Sequence, residues 1–216
     1  MDGAKSMLTA IAIAATLSIQ LVSVYSGTVE KCLGGGYHKK FPSPEGPGFA
    51  TCFPWKNKSC CSAETTVDLK TNGIKNLAHL DWEYCGVLSE SCKKYLLSQF
   101  CFYFCDPNVV KWQASGVYVS ELPICSDTCD KWFEACKNDK TYSENWMDDY
   151  VLYHSLKGPI KTNRSCRTFA EAFQNGEGLC NKMNGLAFKY ERSSNCVVFD
   201  FKGENPNDKV KPATSS

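Results

Sequence analysis

Cysteine dominates the residues that could act as nucleophiles or metal ligands: 14 lie between Cys32 and Cys196, against three histidines, His38, His79 and His154. Thiolates at ligand spacing would hold zinc, yet no Cys-x-x-Cys occurs and no histidine stands near a cysteine pair at that spacing. No metal is therefore expected. An even and high count reads instead as a disulfide framework made in an oxidising compartment. The residues alone leave about 10⁵ pairings of these cysteines open, and a free nucleophilic thiol does not fit such a set. The other groups able to do acid–base or nucleophilic work are Asp148, Asp149, His154 and Ser155. They are neighbours in sequence, whereas a triad needs members that converge in space, and a solvated acidic helix face accounts for the same residues. With no Gly-x-Ser-x-Gly, His-Glu-x-x-His or Gly-rich phosphate loop, the chain reads as non-enzymatic.

Rings point toward binding. Twelve Phe, ten Tyr and five Trp can build a slot that stacks a flat ligand from both faces. They can equally form the core of a protein in which disulfides replace aliphatic layers. Trp55, Trp82, Trp112 and Trp132 stand close to cysteines and are expected to pack on disulfides. The charge balance, 24 Lys plus Arg against 23 Asp plus Glu, lacks the basic footprint that nucleic acid or an anionic membrane requires.

These side chains need elements to hold them. Residues 32–61 are rich in Gly, Pro and Ser and predict a loop-dominated segment held by its own cysteines. Between Leu88 and Phe104 there is no Gly or Pro, and Leu88, Tyr95, Leu96, Phe100 and Tyr103 recur at helical intervals, so a helix is predicted there, ended by Pro107. A second helix starts after Pro123 with Ser126 as the expected N-cap and Trp132, Phe133 and Ala135 on one stripe. A third runs from Ser143 through Tyr153, and Thr168 to Phe173 suggests a short fourth. Cys196 to Phe201 (CVVFDF) predicts a strand, paired with Leu186 to Tyr190. Cys101 with Cys105, and Cys125 with Cys129, are spaced four apart and share a helix face without favouring a bond to each other. Each such helix is a post tied to two distant segments, the rigid frame that a preformed pocket needs.

The N-terminus gives a second view of the compartment. Met7 to Val24 is apolar and follows one lysine, and Val24, Tyr25 and Ser26 are acceptable residues before a cleavage point, so residues 1–26 are read as a secretory signal peptide. The competing reading, a transmembrane anchor, is weakened by the Thr, Ser and Gln inside the run. The closing NPNDKVKPATSS carries no hydrophobic tail for a lipid anchor, and a secreted, extracellular protein is expected. Asn57 and Asn163 head sequons and are candidate glycosylation sites.

Taken in order, several motifs resemble the folate receptor and riboflavin-binding protein family. They are HKKFPSPE at 38–45, the Cys60-Cys61 doublet, Trp82-x-x-Cys85-Gly86, Ser91-Cys92-Lys93 and Cys101-Phe-Tyr-x-Cys105-x-Pro-Asn108. They continue through Leu122-Pro-Ile-Cys125, Cys129-x-x-Trp132-x-x-x-Cys136, Asn145-Trp146 and Gly203-x-Asn-Pro-Asn207. The resemblance implies an α+β fold: a mainly helical, disulfide-rich single globular domain of the folate receptor type with a few short strands, over residues 27–204, followed by a polar tail at 205–216. It also implies seven disulfides: Cys32 with Cys60, Cys52 with Cys101, Cys61 with Cys105, Cys85 with Cys166, Cys92 with Cys136, Cys125 with Cys196, and Cys129 with Cys180. The family's eighth bridge would use the position of Tyr142 and one just after Cys166, and both partners are absent together.

The resemblance further implies a flat heterocycle stacked on Tyr103 and facing a tryptophan four residues after Cys180, where this chain has Asn184. The pterin-bonding carboxylate of folate receptors is matched by Gln99. Their Trp-Arg-x-x-Arg segment falls in a gap between Trp112 and Cys125, and a His-Lys pair is replaced by Met147 and Asp148. A glutamate tail would therefore meet carboxylates instead of cations. The stretches ACKND at 135–139 and NWMDDY at 145–150 look closer to the riboflavin-binding branch. The expected site is Tyr103 for stacking, Trp146 and Tyr150 as pocket wall, Gln99 for ring hydrogen bonds, and Asn184 with Phe188 opposite. No cofactor is expected beyond bound riboflavin or a related flavin or pterin as ligand. The expected function is a carrier or receptor-like protein for a vitamin, riboflavin ahead of folate; the alternative is a scaffold that has lost vitamin binding and recognises an extracellular protein.

Overall fold

In the computed structural model the structure describes residues 30–35, 37–73, 80–156 and 164–213. The segment expected to be a signal peptide and the sequon at Asn163 lie outside these residues. Helices dominate: α1 (Ala63–Asn72), α2 (Glu90–Cys105), α3 (Ser126–Cys136), α4 (Trp146–Leu156), α5 (Phe169–Phe173) and α6 (Gly176–Lys182). Short two-stranded pairings connect them: β1 (Gln113–Ser115) with β2 (Tyr118–Val119), β3 (Leu122–Cys125) with β6 (Phe188–Glu191), and β4 (Lys140–Thr141) with β5 (Arg167–Thr168). The described residues of 32–61 are loop apart from one turn of 3-10 helix at Phe53–Trp55 and an isolated bridge between Ser43 and Ser59, and only Cys32–Cys60 closes within the segment, since Cys52 and Cys61 are tied to α2.

Local chemistry sets the ends. The Ser89 hydroxyl accepts from the Cys92 amide and opens α2, which runs to Asp106, ahead of Pro107. The helix predicted from Ser143 starts instead at Trp146. Thr141 Oγ1 accepts from Ser143 N, Ser143 Oγ from Asn145 N, and Asn145 Oδ1 from Met147 N. These side-chain bonds hold 141–145 in turns and defer the helix. In α3 the cap position is Cys125, with no side-chain bond, so Ser126 is the first helical residue and not the N-cap. α5 follows a capping box between Thr168 and Glu171.

The predicted strand at 196–201 does not form. Leu186 to Tyr190 overlaps β6, and β6 pairs in parallel with β3, from Leu122 opposite Phe188 to Cys125 opposite Glu191. Val197 touches Ile124 only as an isolated bridge. The next residue is claimed by a side chain: Val198 N donates to Asn207 Oδ1, and Asn207 Nδ2 donates to Val198 O. Asn207 thus takes the place of a neighbouring strand. Residues 205–210, read from sequence as the start of a polar tail, accordingly fold onto the domain, with Asn207 and Val210 buried.

All 14 cysteines are paired, in the seven combinations the resemblance implied. Helix α2 is tied by Cys101 to Cys52, by Cys105 to Cys61 and by Cys92 to Cys136 of α3. Helices α3 and α6 are joined by Cys129–Cys180, and their close approach requires Gly176, where a Cβ would sit 2.7 Å from the Asp130 Cα. Phe102, Trp132, Phe169, Phe173 and Phe199 are fully buried in the one core.

Candidate ligand-binding site

Helix α2 carries two adjacent rows at four-residue spacing, Gln99 with Tyr103 and Phe100 with Phe104. All four line one cavity of about 190 Å³ that opens to solvent. The first two turns of α4 add Trp146, Met147 and Tyr150, and the turn after α6 with the start of β6 adds Asn184, Ala187 and Phe188. The β1–β2 hairpin contributes Val117, Tyr118 and Val119, the N-terminal loop Tyr37 and His38, and the segment before α2 Leu80 and Trp82. Nine of these residues carry Phe, Tyr or Trp rings, and none is Asp, Glu, Lys or Arg. The interior is therefore aromatic and uncharged.

Each wall is fixed from behind. The Trp146 amide donates to the Met183 carbonyl at 2.8 Å, joining α4 to the turn that bears Asn184. Gly185, at φ +60°, makes that turn, and a Cβ there would meet the Asn145 side chain at 3.3 Å. Glu121, also in the left-handed region at φ 56°, donates its N–H to the Leu186 carbonyl. Tyr103 donates its hydroxyl to the Val117 carbonyl at 2.6 Å, so one bond fixes both ring and hairpin. Burial, with a smaller effect of neighbouring Tyr150, pushes the Tyr103 phenol far above its ordinary range, and it stays neutral. The His38 ring meets Tyr103 edge-on at 5.3 Å, and its Nε2 donates to the Tyr103 carbonyl at 3.0 Å. Desolvation holds the imidazole below its usual pKa.

Tyr103, Gln99, Trp146, Tyr150, Asn184 and Phe188 all line this one cavity. Trp82 stacks on Trp146 with centroids 3.9 Å apart and planes within 14°. Phe100 meets Trp82 edge-on and Tyr142 meets Trp146 likewise. Trp55 and Trp132 pack edge-on against Phe201 and Phe199. The sequence reading missed Trp82, Tyr37, His38 and Tyr118. A Trp beside a Cys looks the same in sequence whether it faces a disulfide or a pocket, and Tyr118 is brought in only by the hairpin.

Beside the cavity runs a wider groove sharing Tyr118, Met147 and Asn184 with it, lined further by Ser120, Glu144, Asn145, Asp148 and Lys182. Its two carboxylates outnumber its one ammonium. On α4, Asp149 is buried and paired with Arg164, which lies 5.5 Å above the Tyr142 ring. Burial, then the Asp149 charge, pushes the Tyr142 phenol up to about 12. The Ser155 hydroxyl donates to the Val151 carbonyl of its own helix, and His154 packs on Tyr150. Asp149, His154 and Ser155 thus form no triad. Cys92, Cys136 and Asp139 cluster, but the sulfurs are joined to each other and Asp139 accepts from the Ser89 amide and hydroxyl, so this is not a metal centre.

The model of the folate receptor family matches residues 31–199. The chain belongs to the folate receptor family. It is 34% identical to the riboflavin-binding protein of Gallus gallus over 165 residues, covering 76% of this chain and 68% of that one. The riboflavin-binding protein of Dromaius novaehollandiae is also 34% identical, over 79% of this chain and 72% of its own. Folate receptor gamma of Homo sapiens is 30% identical, over 83% and 77% respectively. Among the described residues no helix is long and apolar enough to cross a membrane.

Proposed function

We propose that this protein is an extracellular, non-enzymatic carrier or receptor-like protein for a flat heterocyclic vitamin, riboflavin ahead of folate. The observation that carries this reading is a preformed cavity with aromatic walls and no charged lining residue, in a family whose matched members are named for binding riboflavin or folate. An aromatic, neutral slot suits a neutral ring system by stacking and burial. The groove beside it suits a neutral hydroxylated chain, since Ser120, Asn145 and Asn181 offer hydrogen bonds there. A polyanionic glutamate tail would instead meet Asp148, beside Glu144, whose charge is already paired with Arg167. A cavity lined by Tyr103 together with Tyr150 and Phe188 supports this reading over a role in protein recognition.

Fluorescence titration of the oxidised protein tests the reading. Riboflavin is expected to quench saturably, more tightly than folate, and Tyr103→Ala to weaken riboflavin binding about ten- to hundredfold through the lost stacking face. Absence of quenching by both vitamins at tens of micromolar, about −6 kcal/mol, would refute it.

A further inference from the structure

The tryptophan wall of the cavity is closed into a circuit by contacts that lie behind it. Trp82 and Trp146 stack with centroids 3.9 Å apart, and both line the cavity. Three residues after Trp82, Cys85 is bridged to Cys166. Two residues before Cys166, Arg164 pairs with Asp149, which lies three residues after Trp146 on α4. One ring stack, one disulfide and one ion pair therefore join three segments remote in sequence. Tyr142 touches each of the three: its ring meets Tyr84 at 5.2 Å and Trp146 at 5.0 Å, both edge-on, and lies 5.5 Å from the Arg164 guanidinium.

Asp149 is 2% exposed, its Oδ2 has no hydrogen-bond partner, and Arg164 is its one ionic partner among the described residues. A buried carboxylate so sparsely compensated adds little net stability, because desolvation offsets the attraction. What the pair does supply is geometry: the buried charge is accommodated only with the guanidinium in place, which fixes where residues 164–166 meet α4. The guanidinium then covers the Tyr142 ring, and that ring backs Trp146. We infer that Asp149 and Arg164 are a positioning pair for the ligand site: through Tyr142 they hold the Trp82–Trp146 stack in the orientation against which a flat ring packs. None of Asp149, Arg164 and Tyr142 lines the cavity, so the pair acts through the wall and not on the ligand. This rests on the vitamin-binding reading and adds to it the groups that preorganise one wall, which lowers the ordering cost of binding.

Two readouts test the inference. A stacked tryptophan pair gives an exciton couplet in far-ultraviolet circular dichroism, which reports the wall without any ligand, and fluorescence titration reports riboflavin affinity. Removing Arg164 alone would strand a buried charge, so the informative variant combines Asp149→Asn with Arg164→Gln and removes both charges at nearly constant shape. It is expected to lose most of the couplet and to bind riboflavin about tenfold more weakly, while still unfolding cooperatively with its disulfides formed. Tyr142→Phe, which keeps the transmitting ring, is expected to retain the couplet and an affinity within about twofold. An unchanged couplet in the double variant would overturn the inference, because the tryptophans would then hold each other by stacking alone. A lost couplet with riboflavin affinity unchanged would also overturn it, since the wall would not then serve the site. If the unaltered protein binds neither riboflavin nor folate, the vitamin-binding reading fails by itself, and the ligand-free couplet still decides whether the pair positions the wall.

Discussion

Tyr103 and His38 hold each other in place, through the bond from His38 Nε2 to the Tyr103 carbonyl and an edge-on ring contact. That bond requires the hydrogen on Nε2, so the neutral ring is the Nε2–H tautomer. Because burial lowers the folded-state pKa of His38, the unfolded chain protonates first as pH falls. The sign follows from linkage: above the ordinary pKa of about 6.5 neither state is charged and there is no penalty. Below it, stability declines until the lower folded pKa is reached. Guanidinium midpoints measured between pH 7.5 and 5.5 are expected to fall more steeply for the native sequence than for His38→Gln. Equal slopes would mean that the imidazole does not carry the effect. At this scale Gln99 was legible only through the resemblance, because a glutamine in an apolar helix stripe reads as an imperfection until its oxygen is seen without a partner on a cavity wall.

The elements that carry the site are short, and side-chain clasps hold them. Asp106, 2% exposed, accepts from Asn108 N and Nδ2 at one oxygen and from Asn205 Nδ2 and Asn207 Nδ2 at the other. This clasp stops α2, starts the 3-10 turn at Pro107–Trp112 and docks residues 205–210. Asp106→Ala would leave several buried amides unsatisfied, at about 1–3 kcal/mol each before relaxation, and is expected to cost about 3 kcal/mol overall in guanidinium denaturation. A loss below about 0.5 kcal/mol, the range of a neutral surface substitution, would show that water replaces the carboxylate. The Asn-Pro-Asn sequence looked like a tail because polar turn residues are common in disordered ends. Its burial depends on an aspartate about a hundred residues away. The failed strand at 196–201 has the same origin, since Asn207 claims both backbone groups of Val198.

Across the whole molecule, disulfides do what extensive sheets or long helices do elsewhere. The pair Cys85–Cys166 closes a span of 81 residues, and the chain-entropy model gives about 4.5 kcal/mol for a loop of that length. The double variant Cys85→Ser, Cys166→Ser is expected to lower the guanidinium midpoint accordingly while leaving the other six bridges formed, as mass spectrometry of peptides would show. A loss under about 1 kcal/mol would mean that packing between residues 80–90 and 164–168 already constrains the ends. Full reduction is expected to loosen the cavity, because α2 loses its covalent ties to Cys52 and Cys61, and α6, which leads into the turn at 183–188, loses its tie to α3.

Composition, periodicity and motif order by themselves determined the class of protein: helical, disulfide-built and close to neutral overall, with α2 and α3 placed to within a residue or two. Those properties depend on local spacing and on which residue types recur, and a chain carries them without folding. Tertiary structure alone decided which rings face the cavity, that Trp82 stacks on Trp146 while Trp55 and Trp132 stay in the core, and that β6 joins β3 instead of residues 196–201. Such outcomes turn on contacts between residues far apart in sequence. Two tryptophans beside cysteines present the same local pattern, and only the packing of distant segments against each ring separates a wall from a core.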